Sequence, residues 1–163
     1  GTFKPDKEIN RAELTKIVVE IMVGNPGPTY NNCFPDVKNE WFAPYVCYAE
    51  VSGWIDGYPD GTFKPANNTN RVEAIKIILN AFFGGKENIP EIQPVSDMPS
   101  DADPEEWYYP FLQFAISKDL LDLQHITYYV VSSYNYHGDE NMTRKEVAEM
   151  LYRLMHTFTP AEI

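Results

Sequence analysis

At 163 residues, with a net charge of −11 and 44% hydrophobic residues, the chain is long enough for one packed core and too apolar to be disordered. The acidity argues against a nucleic-acid partner, which requires Lys and Arg clustered against phosphate. No stretch approaches the roughly 20 apolar residues of a membrane-spanning helix, so no membrane insertion is expected.

The chain opens on Gly1-Thr2-Phe3-Lys4-Pro5, with no signal peptide and as if in the middle of a motif, so a fragment or a processed chain is expected. Asn10-Arg11-Ala12-Glu13 then leads an amphipathic helix. Its apolar residues Leu14, Ile17, Val18, Ile21 and Met22 share one face, and Gly24 stops it. Cys33 and Cys47 are too few for a disulfide scaffold. A bond closing a loop of about 15 residues in an exported protein, and two buried free thiols, both stay open.

Phe34-Pro35-Asp36 precedes Trp41-Phe42-Ala43-Pro44-Tyr45, a second helix with proline near its start, followed by Ala49, Gly53 and Trp54. The connection that follows contains Gly57-Tyr58-Pro59-Asp60-Gly61, where proline presets φ and glycine accepts a positive φ. Gly61-Thr62-Phe63-Lys64-Pro65 and Asn70-Arg71-Val72-Glu73 repeat the opening of the chain at a shift of 60 residues. The helix that follows ends at Gly84-Gly85.

Val95-Ser96-Asp97 and then Trp107-Tyr108-Tyr109-Pro110-Phe111, Ala115 and Leu120-Leu121 match the tryptophan-led element. An acidic insertion separates Asp97 from Trp107. The β-branched and aromatic run Ile126 to Val131 has strand character, and a short hairpin near 126–136 is expected. Thr143-Arg144-Lys145-Glu146 opens a third copy of the capped helix, with Val147, Met150, Leu151, Leu154 and Met155 on its apolar face. Asn10, Asn70 and Thr143 are N-caps, with Glu13, Glu73 and Glu146 three residues on in capping-box register.

This ordered set, from Phe34-Pro35-Asp36 through Trp41, Ala49, Gly53 and Gly57 to Asn70-Arg71-Val72-Glu73, resembles the S-layer homology (SLH) repeat. About two and a half repeats are present: the second half of one at 1–24, a complete one at 33–84 and a divergent one at 95–157. The resemblance implies an all-α fold, a pseudo-threefold bundle of helix–loop–helix units forming one domain over 1–163. It also implies a surface module of a bacterium, secreted to the cell wall, whose grooves bind a secondary cell-wall polymer carrying pyruvate ketals. By the same resemblance Arg11, Arg71 and Arg144 contact the carboxylate, and Trp41, Trp107 and Gly57 shape the grooves. Guanidinium suits a carboxylate through two parallel charge-assisted hydrogen bonds.

A plainer account of the same residues has the arginines pairing with nearby Asp or Glu and the tryptophans packing between repeats. The first repeat lacks its tryptophan-led helix, which suggests a second function, assembly with itself or with other surface-layer subunits, a neighbour supplying the helix; the cheaper alternative is that the helix lies upstream in a longer natural chain. No Gly-rich phosphate loop, nucleophile elbow or zinc motif occurs, and His125, His137 and His156 have no ligand spacing. No catalysis, cofactor or metal is therefore expected.

Overall fold

The computed structural model describes residues 2–123 and 134–158. Among them the structure is all-α: α1 (Arg11–Met22), α2 (Ala43–Val51), α3 (Arg71–Phe83), α4 (Tyr109–Ser117) and α5 (Arg144–Thr157), with a 3-10 turn at Lys86–Asn88. None of these helices is long and apolar enough to cross a membrane. Residues 126–133 of the expected hairpin lie outside the described residues, and 134–136 form no strand.

The expected caps are in place. Asn10 Oδ1 accepts the Glu13 N–H at 2.8 Å, Asn70 Oδ1 that of Glu73 at 2.9 Å, and Thr143 Oγ1 that of Glu146 at 3.3 Å. The Glu13 and Glu146 carboxylates return the bond to the cap N–H, so α1 and α5 carry complete capping boxes. A cap leaves other first-turn N–H groups without an intrahelical partner, and another copy of the repeat supplies acceptors for these. Arg11 N–H donates to Asn67 O and Ala12 N–H to Pro65 O; Arg71 N–H to Glu140 O and Val72 N–H to Gly138 O; Arg144 N–H to Lys7 O and Lys145 N–H to Pro5 O. The order is cyclic: copy one uses the loop of copy two, copy two that of copy three, and copy three that of copy one.

The chain divides into two compact units. One comprises Glu8–Thr69 and Ile77–Ile89, the other Gly1–Lys7, Asn70–Lys76 and Pro90–Ile163. In the first, α1 packs against α2, and Ile9, Leu14, Val19, Val46 and Phe63 are fully buried. Cys33 and Cys47 are bonded, with Cα atoms 5.3 Å apart, so the thiol alternative does not hold. In the second unit Phe114, Leu120, Met142 and Leu154 are fully buried.

Three features correct or add to what the sequence implies. The partner of Asp36 is Asp101 and not Asp97. Asp36 accepts the N–H groups of Phe63 and Lys64 at 2.9 and 2.8 Å, and Asp101 those of Tyr136 and His137 at 2.8 and 2.7 Å. Second, the third copy keeps the end of the repeat's turn despite its changed sequence: His137 adopts the same left-handed conformation as Lys4 and Lys64, with φ of 55°, 50° and 56°. Third, Ile21 and Met155, assigned by periodicity to the apolar face, are exposed.

Two predictions follow from this packing. Reduction of Cys33–Cys47, or Cys47→Ala, lowers the free energy of unfolding by about 3 kcal/mol, read from urea melts with and without reductant. Thr69 is fully buried, its hydroxyl has no hydrogen-bond partner among the described residues, and its counterparts Ile9 and Met142 are apolar. Removing an unsatisfied buried hydroxyl without changing shape raises stability, so Thr69→Val gains about 1 kcal/mol in the same assay.

Candidate functional site

The three sequence-selected arginines open three helices, yet their surroundings differ. Arg11 is only 5% exposed. Its Nε donates to Phe63 O at 3.0 Å and its Nη2 to Asp56 O at 3.1 Å, and its guanidinium lies 4.7 and 4.8 Å from the ring centres of Tyr58 and Phe63. The planar cation thus fastens the turn between the two helices of the second repeat to α1, by carbonyl hydrogen bonds and aromatic faces.

Arg71 has the carboxylate pairing of the plainer account. Its Nε donates to Glu146 Oε1 and its Nη1 to Glu140 Oε2, both at 2.9 Å, and Nη1 also reaches the carbonyls of Tyr136 and His137 at 3.3 Å. Burial would pull its pKa down, but Glu146 foremost, and then Tyr136 and Glu140, hold it above the usual arginine value. The side chain remains 18% exposed, and Glu140, at 59%, is the open member of the pair. Beneath it, burial pushes the Tyr136 phenol well above its ordinary range. Arg144 is half-buried and donates from Nη1 to Phe3 O at 3.2 Å.

Gly57 serves the fold of the turn. A Cβ there would come within 2.7 Å of Phe34 Cε1 and 3.2 Å of Thr62 O, and Phe34 stacks on Phe63 at 5.5 Å. Beyond it, Asp60 accepts from both the N–H and the hydroxyl of Thr62 and pairs with Lys64 at 2.8 Å, while Gly61 takes φ of +80°.

Trp41 and Trp107 are not core residues. Trp41 is 57% and Trp107 49% exposed, each set edge-on to the next aromatic, Phe42 or Tyr108. Trp54, by contrast, is buried. Both exposed rings lie immediately before the helices α2 and α4, which lack a side-chain cap and carry proline in the first turn.

Sequence reasoning missed two lysines. Lys76 Nζ lies 5.5 Å from the Trp107 ring, and Lys16 Nζ, its counterpart at the 60-residue shift, lies 4.9 Å from the ring of Tyr45. Lys16 also bonds Glu20, whose carboxylate accepts from the Tyr45 hydroxyl at 2.9 Å. The hydrogen bond to Glu20 outweighs desolvation and holds the Lys16 pKa up. The repeat shift was the signal that relates these lysines. The aromatic neighbours were invisible because they come from other elements.

Residues 34–75 match the family model of the S-layer homology domain. The chain is 35% identical over 98 residues to cell surface glycoprotein 1 of Acetivibrio thermocellus, covering 54% of this chain and 4% of that protein. It is 32% identical over 92 residues to a cellulosome-anchoring protein of the same organism, covering 54% and 21%. It is 28% identical over 82 residues to an uncharacterized cell wall amidase of Bacillus anthracis, covering 50% and 15%. The chain therefore spans a small fraction of each of these relatives.

The site geometry carries a prediction of its own. Arg11→Ala strands two carbonyls and opens space between two rings, at a cost on the order of 2–4 kcal/mol in urea denaturation. Trp41→Ala and Trp107→Ala change stability by about 0.5 kcal/mol or less, because their rings are largely in solvent.

Proposed function

We propose that this chain is a non-catalytic module that anchors its bearer to a bacterial cell surface by binding an anionic, pyruvylated cell-wall polysaccharide. The observation that carries the reading is the S-layer homology match at 34–75, beside partial similarity to proteins named for the cell surface, for anchoring and as a cell wall amidase. These relatives carry different names, and the part in common with this chain is a small fraction of each, as expected of a module borne by proteins of different activity. On this reading residues 1–163 act as one module outside the cell, with copies at 1–24, 33–84 and 95–157.

The exposed rings of Trp41 and Trp107 support it, since an aromatic face in solvent is a stacking surface for a sugar. Lys76 puts positive charge beside Trp107, which counters locally the field of a chain with net charge −11. Of the three arginines, Arg71 is the first assigned to the ligand carboxylate. Its bond to the exposed Glu140 can be exchanged for one to pyruvate, while Glu146 keeps the guanidinium oriented. Arg144 is assigned the same role in the third copy. Arg11 and Gly57 act by holding the turn in shape. Assembly with other surface-layer subunits is the second reading, favoured by the exposed apolar stripe on α5.

Titration against purified wall polymer, with and without its pyruvate groups, tests the assignment. Arg71→Ala and removal of pyruvate each weaken binding about tenfold or more, and the two losses do not add. Trp107→Ala weakens it about three- to tenfold with melting unchanged. Equal binding to the polymer without pyruvate would reject the carboxylate assignment, and no binding to any wall polymer would reject the anchor.

A further inference from the structure

The starts of the three capped helices can be compared position by position. Each cap is followed by an arginine whose N–H donates to a carbonyl of another copy's loop: Arg11 to Asn67, Arg71 to Glu140 and Arg144 to Lys7. At one and the same place the loop therefore carries an amide, a carboxylate and an ammonium. The residue after the arginine changes as well. It is Ala12 on α1 and Val72 on α3, both buried, and an exposed lysine, Lys145, on α5.

These changes give each helix start a different charge. Arg11 is enclosed by rings and carbonyls. At Arg71 the loop contributes the carboxylate of Glu140, paired at 2.9 Å. At Arg144 the loop contributes Lys7 and the helix adds Lys145, so three cationic residues meet on adjoining backbone. Two hydrogen bonds fix them there, Arg144 N–H to Lys7 O and Lys145 N–H to Pro5 O, both at 2.9 Å. The carboxylates of α5 are committed elsewhere, Glu146 to Arg71 at 2.9 Å and Glu149 to Arg153 at 2.7 Å. On the loop Asp6 adjoins Lys7, and Glu8 on the other side bonds Asn68. The first N–H groups of α5 are used by Lys7 O, Pro5 O and Thr143 Oγ1. The pull on an anion therefore comes from the side-chain cations and not from open helix donors.

One guanidinium is enough for one carboxylate, and three cationic residues exceed that need. A phosphate monoester concentrates a charge of about −1.5 to −2 on one group with three acceptor oxygens. Lysine serves such a group as a point charge beside the fork of an arginine. We propose that Lys7, Arg144 and Lys145 form a phosphate-binding site, with the two lysines selecting phosphate where an arginine by itself would take a carboxylate. The proposal rests on the wall-polymer reading for the bearer of the phosphate, a phosphorylated strand of that polymer, and refines which anionic group Arg144 takes.

Glycerol 3-phosphate and glycerate, close in size and different in their anionic group, are titrated into the intact 163-residue protein and followed by amide NMR shifts. With the phosphate, saturable shifts at Lys7, Arg144 and Lys145 are expected, at an affinity about fivefold or more above that for glycerate. Lys7→Gln and Lys145→Gln each weaken phosphate binding about threefold or more, and together bring it to the glycerate level. Lys38→Gln, at an exposed lysine on a different loop, leaves it unchanged. All three lysines are exposed, and the same spectra report that the variants are folded. Equal affinity for the two anions, or phosphate shifts centred on Arg71, overturns the proposal. Phosphate binding by a protein that binds no wall polymer would reject the anchor and keep this site; wall-polymer binding without phosphate binding would do the reverse.

Discussion

The first-turn N–H groups of three helices are the constraint on which the rest of this structure depends. A helix start leaves donors that its own backbone cannot satisfy, and a side-chain cap takes only part of them. Here the next two N–H groups after each cap, Arg11 and Ala12, Arg71 and Val72, Arg144 and Lys145, donate to carbonyls of a loop that belongs to a different copy. No copy satisfies its own helix start, so the repeat is not a self-sufficient unit. The loops are held where they are because helix starts need them, and the carboxylates of Asp36 and Asp101 hold two of them from the other side through paired backbone N–H groups.

This arrangement also explains why one motif produces three different arginines. Each follows a cap and is brought against the loop of another copy, but the loops differ. The loop of the second copy offers Arg11 two aromatic rings and two carbonyls, and the side chain is enclosed. The loop of the third copy offers Arg71 the carboxylate of Glu140, with Glu146 from the helix of the same copy. An arginine held by carboxylates is pre-aimed and charged, which suits exchange of one carboxylate for a ligand's. An enclosed arginine serves shape. A shared motif therefore does not imply a shared role at each position.

An acidic chain proposed to bind an acidic polymer needs cations where they count rather than on average. Lys76 stands beside Trp107, while Lys16 beside Tyr45 is paired with Glu20. Trp41 and Trp107, each about half exposed, offer their rings at the surface beside the same helix starts.

Much of the fold could be read from the sequence because it is encoded locally and repeated. Caps, capping-box glutamates, the Pro-Asp-Gly turn and glycine stops act within a few residues of themselves, and the 60- and 73-residue shifts multiplied each signal. What could not be read was set between copies. Asp101 replaced Asp97 as the loop holder because the distance from an inserted acidic loop to the backbone of Tyr136 and His137 depends on the folded path. Periodicity placed Met155 and Ile21 in the core because it counts residues and not neighbours. The tertiary structure alone decided that Arg11 is enclosed and Arg71 partly open, and that Trp41 and Trp107 are exposed while Trp54 is buried, since burial and pairing depend on which segments the fold brings together.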